Sequence, residues 1–195
     1  HMQLEEEIER KYQQLKANHA LASKQATQGQ FKSGLADQQE ITTKYHTLTH
    51  LLHAALRQVL GESVVQKGSN ITALRLRFDF AYDRSLTEQE KLEVTELINH
   101  WIQADLQVDK QVLPKADALK AGAIALVVDK YPDVVNMYSI GSNPRGSQRG
   151  VDYISRELCA GPHVTHTGLI GRIELNREKA VADGVRRIYA VQKDD

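Results

Sequence analysis

Apolar and polar positions along the chain change period several times. Residues 3 to about 26 place Leu4, Ile8, Tyr12 and Leu15, with Ala22 beyond, three to four apart on a polar stretch without Gly or Pro. That predicts a helix with a narrow apolar stripe, suited to lie on another domain or chain rather than to form its own core. Thr27 to Gln39 holds Gly29 and Gly34 and predicts a loop. From Tyr45 to Gly61 the chain is rich in Leu and Ala without a break, which predicts a helix ended by Gly61, with Thr42 or Thr43 as its N-cap.

Beyond Gly61 the period switches. Ser63 to Lys67 is a short strand candidate. Leu74-Arg75-Leu76-Arg77-Phe78-Asp79-Phe80 alternates strictly, with Leu, Leu, Phe and Phe on one face. Ser85 or Thr87 can cap a helix running to about Ala104 with Leu92, Leu97, Ile98 and Trp101 inward. Leu106 to Leu113 predicts a strand, Lys115 to Gly122 a short helix and Val134 to Ile140 another strand, and Gly141 to Gly150 reads as a flexible loop. Strands are expected over Tyr153 to Leu158, Gly168 to Asn176 and Val185 to Val191, with a helical turn over Glu178 to Asp183. Helices and strands mix without regular alternation, which predicts an α+β fold: an antiparallel sheet packed with helices in two layers. The expected organisation is an N-terminal helical extension over residues 1–40 and one domain over 41–195. His1-Met2 reads as a remnant of cloning, so His1 enters no site argument.

Composition changes this picture little. At 195 residues with 41% hydrophobic and 26% charged positions, the chain has the make-up of a globular protein with one substantial core. Lys plus Arg and Asp plus Glu both number 25, so overall charge favours no partner. Gly141 to Lys193 carries nine Lys and Arg against five Asp and Glu, an excess that suits phosphate. The single cysteine excludes an internal disulfide and fits a reducing cytoplasm. No apolar run approaches membrane-spanning length.

Chemistry concentrates in two places. His46-Thr47-Leu48-Thr49-His50 puts two imidazoles one turn apart on a helix face. His53 shares roughly that face, so spacing alone leaves the choice of pair open. Thr47 stands where HExxH proteases carry their general base, which rules that pattern out. Over a hundred residues later, Cys159-Ala160-Gly161-Pro162-His163 cannot be helical and predicts a tight turn presenting both side chains to one side. His46, His50, Cys159 and His163 form a borderline-soft donor set that suits zinc better than magnesium or calcium. The bland alternative for the helix pair is ordinary hydrogen-bonded histidines. His166 is a surface or outer-layer spare, and His19 and His100 are assigned to solvent.

Several motifs in fixed order carry a resemblance. His-Thr-x-Thr-His-Leu-Leu-His-Ala-Ala-Leu-Arg (46 to 57), Gln66-Lys67-Gly68-Ser69, Arg75-Leu-Arg-Phe-Asp-Phe80, Cys-x-Gly-x-His (159 to 163), Thr167-Gly168-x-Ile170-Gly171 and Gly184-Val-Arg-Arg-Ile188 resemble the editing domain of alanyl-tRNA synthetase. The free-standing alanyl-tRNA editing proteins share that module. The resemblance covers about residues 34 to 191, and the N-terminal helix resembles the helical segment preceding editing in the synthetase. Three features depart from the family. The Gly-rich β-barrel before the HxxxH helix is absent, Pro162 replaces the usual Thr as in the threonyl-tRNA synthetase editing domain, and Gly141 to Gly150 looks like an insertion.

The resemblance implies zinc-dependent hydrolysis of Ser-tRNA(Ala) and Gly-tRNA(Ala), with zinc on His46, His50, Cys159 and His163. It implies a pocket role for Gln66, a candidate general base in Glu157, and a lysine in Lys130 that steadies the ester oxygen or a phosphate. Thr49 joins Gln66 as a candidate to meet the serine hydroxyl. Strand alternation puts Glu157 on the ligand side, against a surface pairing with Arg156 or Arg172. Arg145, Arg149, Arg186 and Arg187 are candidates for the tRNA acceptor end, although alternation turns one of the last two to water. Partners would be a mischarged tRNA(Ala) end and the rest of a synthetase, whose whole chain would be an alanine-tRNA ligase; no membrane is implied. Two alternatives stay open: a zinc-stabilised tRNA-binding module without turnover, and threonyl-type editing of Ser-tRNA(Thr).

Overall fold

The computed structural model describes residues 40–141 and 153–193. The expected N-terminal helix, the loop over 27–39, Arg145 and Arg149 lie outside them. The elements run α1 (Glu40–Leu60), β1 (Gln66–Thr72), β2 (Arg75–Ala81), α2 (Glu88–Gln103), β3 (Val108–Pro114), α3 (Lys115–Lys120), a 3-10 turn (Val128–Lys130), β4 (Val134–Gly141), β5 (Tyr153–Leu158), a second 3-10 turn (Thr167–Ile170), β6 (Ile173–Ala182) and β7 (Val185–Gln192). The strands form two sheets, ordered β1-β2-β7-β6 and β3-β4-β5, with antiparallel pairing throughout. This is the α+β architecture of antiparallel sheets against few helices that the mixed pattern predicted.

Helix α1 is the centre of the described residues. Every residue from Tyr45 to His53 is buried, because the helix touches β1, β2 and β5 together. Leu48, Leu51, Leu52 and Leu56 meet Leu76, Phe78 and Phe80 of β2 in one core. The alternation along β2 makes this possible, since its apolar face turns wholly inward. Leu74 belongs to the turn before β2 and is 83% exposed, so the inward face starts at Leu76. A smaller cluster, with Ala118, Tyr131, Val135, Met137 and Leu158, sits against the three-stranded sheet.

Helix ends follow local chemistry. Gly61 closes α1 at φ +110°, a conformation that a Cβ disfavours, and its N–H donates to Arg57 O at 3.0 Å. Neither Thr42 nor Thr43 caps the start. Both lie inside the helix, which is already formed at Glu40, where Glu40 pairs with Lys44 at 2.7 Å. Thr87 caps α2 by a reciprocal box: Glu90 N–H donates to Thr87 Oγ at 3.1 Å, and Thr87 N–H donates to Glu90 Oε2 at 2.8 Å. Thr87→Ala is expected to cost about 1 kcal/mol, read as a lower urea midpoint at unchanged slope. An unmoved midpoint would mean that the box contributes nothing.

Three expectations need correction. Leu92 is half exposed; the inward stripe of α2 is Val94, Ile98, Trp101 and Ile102, one helical face to which Leu92 does not belong. Strand β1 begins at Gln66 and runs through polar Ser69 and Asn70 to Thr72, because as the edge of its sheet it need not be apolar. Glu178 to Asp183 is not helical. Strand β6 continues to Ala182 and turns at Asp183-Gly184 into β7, with Gly184 at φ +62°. Ladder hydrogen bonds to β7 override the helix propensity of Glu178-Lys179-Ala180, and Asp-Gly between strands is a hairpin signal.

Candidate metal centre

Helix α1 brings His46 and His50, and the turn after β5 brings Cys159 and His163. One ligand atom from each of the four lies within 4.8 Å of the others. Cys159 Sγ is 3.2 Å from His46 Nε2. The His46 and His163 rings stack at 4.2 Å between centroids, and His163 lies 4.8 Å from His50. The turn is anchored on both sides: Cys159 N–H donates to Asn136 O at 3.1 Å, and Val164 N–H donates to Thr47 Oγ at 3.1 Å.

Each imidazole has an outer partner at Nδ1. Pro162 O, which only accepts, lies 2.9 Å from His46 Nδ1. Thr47 Oγ points its proton at Thr43 O, 3.3 Å away, and so accepts from His163 Nδ1 at 3.2 Å. Glu157 Oε2 stands 2.9 Å from His50 Nδ1, an ion-pair distance at an angle too oblique for a good hydrogen bond. Protons held at Nδ1 leave Nε2 of His46 and His163 as lone-pair donors, the arrangement in which outer partners fix the tautomer of metal-binding histidines. His50 Nε2 and His163 Nε2 are buried without a hydrogen-bond partner. Orphaned nitrogens beside a cysteine fit a cation and cost free energy without one.

Charge at the cluster follows the same partners. Burial would raise the Cys159 thiol, but His163, His46 and His50 outweigh it and hold it well below the ordinary thiol range, as thiolate. Burial, with His50 and His46 beside it, keeps His163 neutral against the pull of Cys159. Burial also opposes charge on His50 and Glu157, yet their contact prevails, raising the imidazole and, with His53, lowering the carboxyl. Cys159 and His163 thus stand in ligand form, whereas His50 has to release a proton to join them.

The other site candidates fall variously. Glu157 is 5% exposed, with Oε2 at His50 and Oε1 accepting from His53 Nδ1 at 2.9 Å, so its partners are imidazoles and not Arg156 or Arg172. Thr49 is buried and donates back to Tyr45 O at 2.9 Å. Gln66 opens β1, half-buried, opposite Phe80. Lys130 is exposed on the 3-10 turn, next to Tyr131, whose hydroxyl donates to Leu158 O at 3.1 Å beside Cys159. Arg187 grips Asp79 with two bonds, 2.7 and 2.8 Å long, and Arg186 is bound by Glu178 and Ser85. Both arginines are partly buried, and each has a carboxylate on its own side of the sheet. His100 and His166 are exposed. Thr47 went unassigned in the sequence; a threonine inside a helix gives no hint that a turn 116 residues away will bond to it. An open groove beside α2, lined by Leu92, Thr95, Asn99, His100 and Arg172, shares no residue with the cluster.

Residues 135–189, which contain Cys159 and His163, match the family described as Threonyl and Alanyl tRNA synthetase second additional domain. An antiparallel α+β frame carrying this cluster is thus an accessory domain of the kind those synthetases share. The chain is 51% identical over 173 residues to an alanine–tRNA ligase of Treponema denticola and 50% identical over 173 residues to one of Treponema pallidum. Each alignment covers 89% of this chain and 27% of the relative. An alanine–tRNA ligase of Borrelia hermsii is 46% identical over 176 residues, 90% of this chain and 28% of its own length. The chain belongs to the alanyl-tRNA synthetase editing-type domains. It spans about a quarter of the length of these curated relatives. No helix among the described residues is long and apolar enough to cross a membrane.

Proposed function

We propose that this domain hydrolyses the ester of mischarged tRNA(Ala), taking seryl and glycyl esters and sparing alanyl ones. The observation that carries the reading is the convergence of His46, His50, Cys159 and His163, with hydrogen-bond partners at Nδ1 of His46 and His163 and the Glu157 carboxylate at that of His50. Those four residues would hold the ion, and zinc is the metal that their donor chemistry favours. Bound there, zinc would supply Lewis-acid polarisation of the substrate or of a water.

The chain's own residues do the rest. Glu157 has both oxygens engaged by imidazoles, so it orients His50 rather than taking a proton from water. Gln66 is assigned to the serine hydroxyl or the amino group, and the exposed Lys130 amine to an ester or phosphate oxygen. Arg145 and Arg149 remain the candidates for the acceptor end, whereas Arg186 and Arg187 fasten the sheet. A second site of this kind has a physical reason. A pocket for alanine gains only ~1–3 kcal/mol against glycine or serine, too little for accurate charging. A polar pocket can invert that preference, because alanine's methyl leaves a polar group unpaired.

The test is a panel of Ser-, Gly- and Ala-charged tRNA(Ala), with Ser-tRNA(Thr) alongside and metal measured on the same sample. The expected result is loss of the seryl and glycyl esters, survival of the alanyl ester, and about one zinc per chain for a single four-ligand site. Zinc-loaded protein that binds tRNA but leaves seryl esters intact would make this a binding module instead. Preferential loss of Ser-tRNA(Thr) would assign it to threonyl-type editing, the reading that Pro162 favours. Gln66→Ala is expected to leave zinc bound and to narrow the Ser/Ala ratio by about tenfold or more, the scale set by one unpaired polar group. An unchanged ratio would remove Gln66 from the pocket.

A further inference from the structure

His53 lies one turn beyond His50 on α1 and is 1% exposed. Its ring packs 5.8 Å from that of Phe78, in the side of the core where Leu52 and Leu56 are also fully buried. A leucine would suit such a place better, since His53 Nε2 is buried there without a hydrogen-bond partner. What the ring does provide is Nδ1, 2.9 Å from Glu157 Oε1. Among the described residues, that oxygen also accepts from Ser155 Oγ, at the longer distance of 3.4 Å. Glu157 Oε2 is the atom beside His50 Nδ1. One carboxylate therefore joins two imidazoles of one helix, and only one of them belongs to the four-residue cluster.

We propose that His53 is a positioning residue of the metal centre: it clamps one oxygen of Glu157 so that the other oxygen sets the orientation of the His50 ring. The proposal rests on the reading of the cluster as a metal centre, and it concerns how His50 is held, not which residues bind the ion. A glutamate side chain has three rotatable bonds, and Ser155 at long range does not fix the carboxylate plane. The short contact from His53 does. With the plane fixed, Oε2 keeps the His50 Nδ1 side and Nε2 keeps the side of Cys159 and His163. Partners one step removed from a metal ligand act in this way, through ring orientation and ligand basicity.

Two substitutions separate the clamp from mere packing. His53→Leu keeps the apolar contacts and removes the donor. His53→Asn places an amide N–H where Nδ1 stands and restores it. On the full chain, chelator competition would measure zinc affinity, the visible spectrum of the cobalt-substituted protein would report ligand geometry, and ¹⁵N-edited spectra of the metal-free protein would follow the His50 Nδ1–H proton. His53→Leu is expected to weaken zinc about 10–100-fold, to alter the cobalt bands and to expose the His50 proton to rapid exchange. His53→Asn is expected to recover most of the affinity and the wild-type cobalt spectrum. A leucine variant with wild-type affinity, bands and proton exchange overturns the proposal. If the wild-type protein takes up no zinc, the metal-centre reading falls. The clamp is then decided by the metal-free spectra alone: a protected His50 proton in the leucine variant refutes it, and loss of that proton supports it. Should the leucine variant not fold, His53→Gln, whose amide falls at the Nε2 position, takes its place with the same expected losses.

Discussion

Cys159→Ala is expected to empty the metal centre and to reduce hydrolysis of Ser-tRNA(Ala) by about 100-fold or more, beyond the 10–100-fold that follows loss of an outer partner. The thiolate is the only anion among the four candidate ligands. It lies 3.2 Å from His46 Nε2, and His163, His46 and His50 together hold it ionised against the cost of burial. Its removal leaves three imidazoles facing each other, among them His50 carrying the proton that Glu157 keeps on it. That set has lost its one anion and holds a divalent ion far more weakly. Cys159 is only partly buried and lies in the turn after β5 rather than filling the core, so the variant should still fold. Metal analysis of purified protein and a deacylation time course check both halves. Full zinc occupancy with undiminished hydrolysis would remove Cys159 from the site. Zinc lost with hydrolysis intact would detach the metal from the reaction.

Phe78→Ala is expected to have the largest effect on stability. The ring is fully buried on β2, 6.1 Å from Phe80 and 5.8 Å from His53, beneath the leucines of α1. Truncation loses the transfer free energy of the ring and leaves a cavity that flanking strands cannot close, together about 3–5 kcal/mol. For a chain of this size that lowers the melting temperature by roughly 6–20 °C. Thermal unfolding of metal-free protein isolates the effect from ion binding. A drop below about 1 kcal/mol would mean that the core repacks around the void, in a way that interiors at native packing density resist.

The sequence revealed best what depends on one element at a time. Period two along Leu76, Phe78 and Phe80 named the inner face of β2, and four-residue spacing put His46 and His50 on a common side of α1. The meeting of that helix with the cysteine turn came from donor chemistry and the family resemblance, since no local pattern reports a contact across 113 residues. What stayed hidden depended on the element opposite. Alternation along β5 put Glu157 on the ligand side, but nothing within β5 tells that His53 will share that carboxylate with His50, or that Arg156 will lie over Tyr153, 4.0 Å away, and reach Ala121 O. Arg186 and Arg187 looked available for phosphate because Glu178 and Asp79 sit on neighbouring strands, not beside them in the chain. The hairpin at Asp183-Gly184 was legible by its turn residues, and helix propensity concealed it.

Because the cluster closes only when α1 meets the stretch beyond β5, it cannot assemble until both have been synthesised. Ribosomes must release His163 before any ion finds all four donors, by which time α1 has waited through the synthesis of five strands. Pairings between such remote segments form slowly, so uptake of metal would serve as a clock for the docking of α1 on that stretch. A fragment stopped short of Cys159 would lack two of the four donors.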